Sequence, residues 1–569
     1  MNSQNTNLTK DEIRKIESTG LRGTILDEIN SEKERFSMDS DQLLKFHGMY
    51  QQKSRDRLTL IEKQQGAPKK PFVLMVRGRI PGGYLTAKQW LAWDYAADQW
   101  SFGSLRLTTR QSIQLHGVLK KNIQSTIRHI NQALITTTGA CGDVVRNVTQ
   151  PPNPSLQPEL NQLTEYAVLL SKHFIVKTNA WHEIFIDGET INPSDENDKI
   201  YGKQYLPRKF KVAITATGNN SVDILTNDLG FCATYDNNRN IEGWFVFAGG
   251  GMGSNIKDEQ THPSTAHLIG WIPKNEFINV AEAIVTVQRD FGNRLNRSQA
   301  RLKYTIRDRG LRWFKDEVSN RSNVIFENRK LPEWNTPTWL GWHQARDETW
   351  SVGIHTLSGR IVDSENKPLK SALRYAIEKW QLNVQITPDQ DIILLGIPKE
   401  HKQSIKNWFD QNQIQTEKPN GLLEKALTCV ALPMCIKAFA ESERVGPNLL
   451  TSLQNIISDY HLNNKAPVIR ITGCPNGCAR PFMAELAFVG QKPGHYMIFV
   501  GGDKESTRLN WKLKEMVPYE SIPNLIGILF KLWSEQGNED EHFGDFTNRT
   551  GFQYLNQQIN DLTIKENAL

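Results

Sequence analysis

The sequence lacks long apolar runs, and it lacks a strong excess of charge of either sign. None of its 569 residues falls in an uninterrupted apolar stretch near the ~18–20 residues that a membrane-spanning helix needs. The opening segment, MNSQNTNLTKDEIRK, has no apolar core of a secretory signal. The 68 basic and 62 acidic residues leave a net charge of +6, which is too dilute for a nucleic-acid-binding face. We therefore expect no membrane span, no nucleic-acid partner and a cytoplasmic protein.

Cysteine is also scarce, because the chain has only 6 and a disulfide-stabilised scaffold needs many more. Cys141 and Cys232 stand alone in the sequence, and small buried hydrophobic residues are the simplest interpretation of both. The other cysteines cluster as C-x5-C and, further along the chain, C-x3-C. These four are Cys429, Cys435, Cys474 and Cys478.

Four clustered thiols have three interpretations. Zinc sites usually pair cysteines two to four residues apart, so C-x5-C fits zinc poorly. Disulfides need an oxidising compartment, which nothing in the sequence indicates. An iron–sulfur cluster takes four thiolates, and Pro433, Pro475 and Gly477 favour loops that wrap around such a cluster. The residues favour the cluster, and a zinc-bound, non-catalytic scaffold is the alternative.

The chain length predicts three or four domains at about 150 residues each. The segment PFVLMVRGRI predicts a strand, TAKQWLAWDYAADQW a helix, and SLRLTTRQSIQLHGV two strands joined by a loop. A second helix is predicted near 122–135. This β-α-β-like order indicates an open α+β layer.

Other segments carry weaker patterns. DEIRKIES and DQLLKFHGMYQQKSRD have helical spacing, and QQGAPKK predicts a linker. AWHEIFID, KFKVAITATG, WFVFAGGGMG and VIRITG predict strands, and a helix is predicted around 521–533.

An internal repeat supports a duplicated fold. The segment Ser104–Val118 aligns without a gap on Asn383–Ile397, and Gly78-Arg79-Ile80 recurs as Gly359-Arg360-Ile361. The apolar positions persist, whereas several polar and basic residues of the first copy are replaced by Gln385, Asp389, Ile393 and Leu395. We therefore expect the first copy to bind an anion or an acidic cofactor and the second to be mainly scaffold.

Longer motifs resemble a known family. TGCPNGCARPFMAE, with TCVALPMC upstream, resembles the sulfite/nitrite reductase family, which couples siroheme to a 4Fe-4S cluster. Within it, the branch of haemoprotein (beta) subunits of NADPH-dependent sulfite reductases is similar almost end to end. The segments that carry this likeness include LRGTI, FHGMYQQKSRD, VRGRIPGGYLTAKQW, VVRNV, YLPRKFK, TVQRDFGNR, RLKYT and FGDFT.

The resemblance implies an α+β architecture with a pseudo-twofold duplication and ferredoxin-like half-domains. The domains implied are a partner-docking arm at 1–74, half-domains at 75–140 and 335–413, a siroheme and substrate domain at 141–334, and a C-terminal domain at 414–569 that bears the cluster.

The resemblance also implies the site residues. The four clustered cysteines would hold the 4Fe-4S cluster, and Cys478 would also be the axial ligand of the siroheme iron. A small oxyanion needs fixed cations that attract it and stabilise the charge on a departing oxygen, and lysines can also relay protons. The residues implied for this role are Arg79, Arg146, Lys209 and Lys211.

Siroheme carries eight carboxylates in this family, so its pocket needs cationic and amide donors. The residues that match pocket positions are Arg106, Thr108, Arg110, Gln114, His116, Arg208, Lys303, Gln390, Asn476 and Arg480.

The activity implied is six-electron reduction of sulfite to sulfide in cysteine biosynthesis. The sequence has no recognisable NADPH, FAD or FMN fingerprint. We therefore expect electrons from an NADPH-oxidising flavoprotein (alpha) subunit that carries FAD and FMN, in a hetero-oligomer docked through 1–74. A ferredoxin-dependent sulfite reductase or a nitrite reductase is the alternative within the family.

Overall fold

A computed structural model describes residues 8–53, 55, 71–188, 198–419 and 421–567, with side chains up to 561. The predicted linker QQGAPKK lies outside the described residues. None of the helices in the described ranges is both long enough and apolar enough to pass through a bilayer. The chain divides into two compact units. The large unit comprises 1–53, 70–251 and 266–417, and the small unit comprises 54–69, 252–265 and 418–569.

Two five-stranded sheets of the large unit have the same strand pattern. The first has the order β1-β2-β5-β4-β13, with β1 Met49–Lys53, β2 Phe72–Arg77, β5 Ile113–Val118, β4 Leu105–Leu107 and β13 Arg360–Ile361. The second has the order β11-β12-β17-β16-β3, with β11 Gly341–Gln344, β12 Trp350–Ile354, β17 Ile392–Ile397, β16 Asn383–Ile386 and β3 Tyr84–Leu85. The predicted duplication is therefore confirmed, and each copy contributes one short strand to the sheet of the other.

The strand exchange corrects one detail of the predicted repeat. Arg360 pairs with Arg106 in the first sheet, while Tyr84 pairs with Gln385 at the matching place in the second. The structural counterpart of Arg360 is therefore Tyr84, and the alignment of Gly78-Arg79-Ile80 with Gly359-Arg360-Ile361 is wrong. Three identical residues are too short a match to establish the alignment of the two copies.

A third sheet of the large unit has the order β10-β9-β8-β7-β6. Its strands are β6 Val145–Thr149, β7 Phe210–Ala216, β8 Leu229–Tyr235, β9 Ile241–Ala248 and β10 His267–Pro273. The pairs β6–β7 and β7–β8 are parallel, and the pairs β8–β9 and β9–β10 are antiparallel. A two-stranded ribbon, β14 Asp363–Ser364 with β15 Lys367–Pro368, completes the sheets described in this unit.

Helices cover the apolar faces of these sheets. The helix Ala87–Trp100 begins at a capping box in which Thr86 and Gln89 bond each other's backbone, and it buries Trp90 and Trp93. The α-helices of the large unit are Lys10–Glu17, Ile25–Asn30, Met38–Leu44, Ala87–Trp100, Ile123–Gln132, Pro158–His173, Ala180–His182, Phe277–Phe291, Leu302–Arg309, Leu311–Ser322, Leu369–Trp380 and Lys402–Gln411. One continuous apolar core joins the strands and helices of this unit.

Two predicted elements are wrong. AWHEIFID is helical, as Ala180–His182 followed by a π-helical turn Glu183–Asp187, and not a strand. Its apolar run buries Trp181, Ile184 and Phe185 on one side, and a short apolar run fits either structure. The second part of DQLLKFHGMYQQKSRD is not helical, because Met49–Lys53 forms the edge strand β1. The predicted arm is thus part of the first sheet.

The small unit has its own five-stranded sheet in the order β18-β19-β20-β21-β22. Its strands are β18 Leu427–Thr428, β19 Ile469–Thr472, β20 Leu486–Lys492, β21 His495–Val500 and β22 Trp511–Pro518, and its helices are Gly446–Asp459, Ile522–Gln536 and Phe543–Asn567. The first two strand pairs are parallel and the last two antiparallel, as in the third sheet of the large unit. This second resemblance between sheets was not predicted. The boundaries of the five predicted domains stay predictions.

Candidate functional site

Two neighbouring parallel strands of the large unit bring three predicted cations together. Val145 in β6 is in register with Phe210 in β7. This register, which shifts after Val145, places Arg146 beside the segment that carries Lys209 and Lys211, and the charge of Arg146 acts on Lys209. Residues that are more than 60 positions apart in the sequence (146 and 209) are therefore neighbours in the fold.

The charges of this cluster act on one another. Burial, followed by the charges of Lys211 and Arg208, holds the pKa of Lys209 well below its usual range. Burial, followed by the charge of Arg297, lowers the pKa of Arg208 to about 10. Burial also lowers the pKa of Arg146. Like charges repel in a partly desolvated site, so the cluster is arranged to receive an anion.

A buried ion pair supports the cluster from the next strand. Arg301 forms a bidentate pair with Asp228, with Nε–Oδ1 and Nη2–Oδ2 distances of 2.8 and 2.7 Å. Asp228 Oδ2 also accepts a hydrogen bond from the backbone N–H of Lys211 at 2.8 Å. Nearby, Lys303 Nζ donates to the carbonyl of Gly251 at 3.0 Å, and burial together with the charge of Arg301 lowers the pKa of Lys303 to about 7.

Arg79, a predicted anion-binding residue, donates to the protein itself. Its guanidinium bonds Ser171 Oγ at 2.9 Å, the carbonyl of Ser171 at 3.2 Å, and the carbonyls of Gly139 and Val145 at 3.1 and 2.9 Å. The residue is 4% exposed. These contacts favour a structural role in holding the start of β6, and its anion-binding role stays a prediction.

Arg77, the other arginine of the VRGR segment, was not among the predicted site residues. Its charge is among the influences that lower the pKa of Arg146, after burial. Its guanidinium donates to Cys141 Sγ at 3.1 Å and to Tyr50 Oη at 3.2 Å. Arg77 ends β2 and pairs with Gln114, a predicted pocket residue, so the two side chains share one face of the sheet. The alternation of side chains along β2 could have indicated this face.

The first sheet has a polar face made by several strands. Arg106 pairs with Gln114 on one side and with Arg360 on the other, so these three side chains share that face. His116 lies on the same strand as Gln114, and its Nδ1 is 3.0 Å from Gln52 Oε1. Burial, then the charges of Arg360 and Arg106, hold the pKa of His116 well below its usual range. Arg360 comes from the second copy, so the repeat alone did not indicate it.

The loop between β4 and β5 positions two more predicted residues. Thr108 Oγ1 accepts from the backbone N–H of Arg110 at 3.3 Å, which closes the turn. The Arg110 guanidinium bonds Asn227 Oδ1 and the carbonyls of Asn147 and Val212, each at 2.6 Å. Arg110 therefore ties the first sheet to the third.

Gln390 is the counterpart of Gln111 in the second copy, and it has a positive φ of 71°. Its Nε2 donates to the carbonyl of Leu107 at 3.4 Å. Its Oε1 is buried and has no hydrogen-bond partner in the described parts of the chain. A buried amide with one unsatisfied atom is typical of a site that receives a bound group or water.

The four clustered cysteines lie in the small unit, at the ends of two adjacent strands. Cys429 follows β18, and Cys474 follows β19 after one glycine. The backbone N–H of Gly473 donates to Cys429 Sγ at 3.3 Å, and Asn476 Nδ2 donates to Cys474 Sγ at 3.4 Å. Burial, then the charge of Cys478, raise the pKa of Cys474 to about 11. The thiols are thus near enough to influence one another.

The thiol geometry bears on the three interpretations of the cysteines. All six cysteines are free, so the four are not paired in disulfides. Within the described ranges, no three His, Cys, Asp or Glu residues are spaced to hold a single metal ion. A four-iron cluster places its thiolates on separate irons and does not need such a group.

Asn476 and Arg480, the remaining predicted pocket residues, frame the C-x3-C turn. Gly477 within the turn has a φ of 64°, and Arg480 follows at a φ of 55°. Arg480 is buried, and its carbonyl accepts from Arg470 Nη1 at 2.9 Å. The left-handed residues turn the chain sharply around Cys478.

Two family models match this chain, and each of them matches two separate segments. The model of the nitrite and sulphite reductase 4Fe-4S domain matches residues 166–326 and 423–566. The model of the nitrite/sulfite reductase ferredoxin-like half domain matches residues 67–133 and 343–409. The chain belongs to the nitrite and sulfite reductase family. The predictions of the family, of the α+β duplicated fold, of an oxidoreductase and of siroheme with a 4Fe-4S cluster are confirmed.

Full-length relatives lie on two branches of the nitrite and sulfite reductase family. A sulfite reductase [NADPH] hemoprotein beta-component of Oceanobacillus iheyensis is 39% identical over 95% of this chain and 94% of that protein. A sulfite reductase [ferredoxin] of Synechococcus elongatus is 37% identical over 97% of this chain and 90% of that protein. The solved NirA protein of Mycobacterium tuberculosis shares the fold, with a TM-score of 0.79 at 22% identity, over 97% of this chain and 98% of that one.

The residues present fit the two family cofactors. In the large unit, a dense cation cluster lies on the third sheet, and His116 Nε2 has no hydrogen-bond partner in the described ranges. Both features suit an acidic macrocycle bound there. In the small unit, amide donors to two thiol sulfurs suit the thiolates of an iron–sulfur cluster. The individual site assignments stay predictions.

Proposed function

We propose that this protein reduces sulfite to sulfide as the haemoprotein component of an NADPH-dependent sulfite reductase. The identity of 39% to a beta-component of that name, over 95% of the chain, carries this proposal. The reaction consumes six electrons and six protons per hydrogen sulfite and releases hydrosulfide and three waters. The electrons would come from NADPH through a flavoprotein partner with FAD and FMN, in a hetero-oligomer, in cysteine biosynthesis.

The anion would be bound by Arg146, Lys209 and Lys211 together with Arg77. We assign Arg77 to this set in place of Arg79, because the Arg79 guanidinium donates four hydrogen bonds to the protein. Charge-assisted hydrogen bonds from fixed cations hold the oxyanion and stabilise charge on a departing oxygen.

We assign Lys209 as a proton donor to the substrate. Its pKa lies well below the usual range, because burial and the charges of Lys211 and Arg208 disfavour the ammonium form. An ammonium group whose pKa is lowered gives up its proton more readily, and a bound anion favours the ammonium form again.

When bound, siroheme supplies the iron that holds the substrate sulfur, and the 4Fe-4S cluster supplies its electrons. In the proposal, the four clustered cysteines would hold the cluster, and Cys478 would also be a ligand of the siroheme iron. Arg106, Arg208, Lys303 and Arg480 would donate to siroheme carboxylates. Arg110, whose guanidinium donates to Asn227 and to the carbonyls of Asn147 and Val212, would support the pocket by holding the first sheet against the third.

The first test combines a visible spectrum with iron and acid-labile sulfide analysis, and with the yield of sulfide per sulfite. The purified protein should be coloured and should convert sulfite to sulfide with reduced methyl viologen as donor. Cys478→Ser should abolish the spectrum of the coupled cofactors. The matched control is Cys232→Ser, a buried thiol in β8 that the proposal does not use. A colourless protein that contains zinc would overturn the proposal.

The alternative is a ferredoxin-dependent sulfite reductase or a nitrite reductase. The relative named sulfite reductase [ferredoxin], at 37% identity, is almost as similar as the NADPH-linked one. The two donors can be compared directly, with the flavoprotein plus NADPH in one assay and reduced ferredoxin in the other. The ratio of kcat/KM for sulfite and nitrite decides the substrate.

The docking role proposed for 1–74 needs a gentler test than deletion. Removing the segment would also remove the edge strand β1 and the helix Lys10–Glu17, which pack in the large unit. Met38, at 79% exposed, is the most exposed large apolar side chain described in this segment. Met38→Glu should lower NADPH-driven activity and preserve methyl viologen activity. Ile325→Glu, at a position 88% exposed outside the segment, is the control.

A further inference from the structure

A buried ionic network holds the loop that carries Arg208 and Lys209. The network includes residues of the N-terminal helix and two arginines, Arg294 and Arg297. Three cations outside the loop donate to three consecutive backbone carbonyls just before Arg208. Arg294 Nη2 donates to the carbonyl of Tyr205 at 2.7 Å. Lys15 Nζ donates to that of Leu206 at 2.8 Å, and Arg297 Nη1 to that of Pro207 at 3.3 Å.

The charges of these three cations are paired with carboxylates, which come from the N-terminal helix and from Asp143. Arg297 forms a bidentate pair with Asp143, with N–O distances of 2.7 and 3.0 Å. Arg297 also pairs with Asp11 at 3.0 Å. Lys15 lies 3.7 Å from Asp143 and bonds Glu12, and Arg294 also pairs with Glu12.

The network is buried, so the loss of any one donor has a large energetic cost. The side chains of Lys15 and Glu12 are each 1% exposed, and that of Asp143 is 3% exposed. A buried ion pair that loses one partner leaves an uncompensated charge, so the remaining groups rearrange or the fold loosens locally. Any rearrangement here moves the carbonyls that precede Arg208 and Lys209.

The network also reaches the strand that bears Arg146. Asp143 lies three residues before Arg146, and its backbone carbonyl accepts from the N–H of Leu206 at 3.0 Å. The charge of Asp143 raises the pKa of both Arg208 and Arg146 against the stronger effect of burial. One set of contacts therefore fixes both segments of the cation cluster.

We infer that Lys15, Arg294 and Arg297 are positioning residues that set the place of Lys209 in the anion site. The N-terminal helix Lys10–Glu17 is thus a support of the anion-binding loop as well as part of the segment proposed for docking. This inference rests on the proposed function only in taking sulfite as the anion, since the positioning of Lys209 can be measured without turnover.

The test uses Lys15→Met, which keeps the length of the side chain and removes its donors. Reactivity of Lys209 toward an amine-acylating reagent is followed by mass spectrometry across pH, in the full chain with and without cofactors. The midpoint for Lys209 in the wild type should lie well below the ordinary value of about 10.4, and it should move upward in Lys15→Met. With methyl viologen as donor, the KM for sulfite should rise about tenfold, with a smaller change in kcat.

Lys370→Met is the matched control. Lys370 is another buried, ion-paired lysine of the large unit, 3.1 Å from Asp94 and 2.5 Å from Asp98, and it does not contact the loop. It should cost stability without changing the Lys209 midpoint or the KM. A Lys15→Met protein that matches Lys370→Met in either measurement would overturn the inference.

One further variant keeps the test decisive. In Lys15→Met itself, Glu12 stays paired with Arg294 and Asp143 stays paired with Arg297, so a shifted midpoint reports the lost donor and not an unpaired carboxylate. If Lys15→Met does not fold, Arg297→Gln replaces it, because that side chain is 27% exposed and tolerates change. Arg297→Gln should raise the KM about threefold, and an unchanged Lys209 midpoint would contradict the inference. A wild type that reduces no sulfite refutes the proposed function, and the acylation measurement still decides the positioning.

Discussion

The first and second sheets of the large unit share a backbone and differ in what their faces carry. Leu107 pairs with Ile113 in one, and Ile386 with Ile392 in the other. On the polar face of the first sheet lies Arg106, and at its place in the second lies Gln385, which bonds Asn153 and Gly82 of the protein. The backbone is thus maintained by apolar and turn positions, and the site is made by the residues between them.

The turns show which features both copies need. Gln111 and Gln390 both have positive φ values, of 51° and 71°. Gly83 and Gly359 have φ values of 73° and 67°, and a Cβ on either would lie 2.5 Å from a backbone carbonyl oxygen of the sheet formed mainly by the other copy. These positions shape the strand exchange, and they are kept even in the copy whose face lost its cations.

Replacing Arg106 should have the largest effect. In Arg106→Ala, siroheme content per chain should fall about tenfold, because the proposal assigns this buried guanidinium to a siroheme carboxylate. Gln385→Ala, the same change in the second copy, should keep its siroheme and lose only some stability. Absorbance and iron per chain measure the difference. Equal loss in both variants would show that the copies share the cofactor role.

The next largest effects should distinguish the two arginines of the VRGR segment. Arg77→Met should raise the KM for sulfite about tenfold and leave the unfolding free energy nearly unchanged. Arg79→Met should instead lower the unfolding free energy by about 3 kcal/mol, because four buried hydrogen bonds are lost. Steady-state kinetics and urea unfolding measure the two effects. The reverse pattern would restore Arg79 as the anion-binding residue.

The two glycines of the exchange should be equivalent. Gly83→Ala and Gly359→Ala should each lower the unfolding free energy by about 1–3 kcal/mol, because both force a side chain into a left-handed, crowded position. Urea unfolding of the two variants under one set of conditions measures this. A large difference between them would mean that the exchanged strands contribute unequally.

The smallest effect concerns His116, whose counterpart in the second copy is Leu395. Because the pKa of His116 in the folded protein lies below the ordinary 6.5, the unfolded chain binds a proton that the folded one does not as the pH falls below 6.5. Stability should therefore fall with decreasing pH in this window, by at most about 1.4 kcal/mol per pH unit from this group. His116→Leu should remove that part of the slope, as measured by urea unfolding between pH 5 and 7 (about the range of histidine titration). An unchanged slope would contradict the assignment.

Much of the fold was predictable because strand and helix patterns are local. The segments around β4, β5, β16 and β17 were predicted as strands from alternating apolar residues, and Thr86 with Gln89 marks a helix start. AWHEIFID was missed because its short apolar run fits a strand as well as a helix. The edge strand β1 was missed because MYQQK has little apolar pattern and is held by pairing with β2.

The candidate site was only partly predictable. Arg146, Lys209 and Lys211 came from family motifs, and the register of β6 and β7 brings them together. Arg77 and Arg360 were missed because side-chain alternation along a strand does not by itself show which face of the sheet carries a site. Arg79 shows the opposite case, since its motif indicated the anion and its contacts are with backbone carbonyls.

The sequence by itself determined the family, the thiol set, the duplication and the scarcity of net charge, because each depends on residue identity and spacing. Only the tertiary structure decided the exchange of β3 and β13. It also gives the contacts on which two proposals rest, Arg77 in place of Arg79 and the support of the Lys209 loop by Lys15. These depend on which distant segments pair and which carbonyls a buried cation reaches. Burial makes such contacts specific, and no spacing along the chain encodes them.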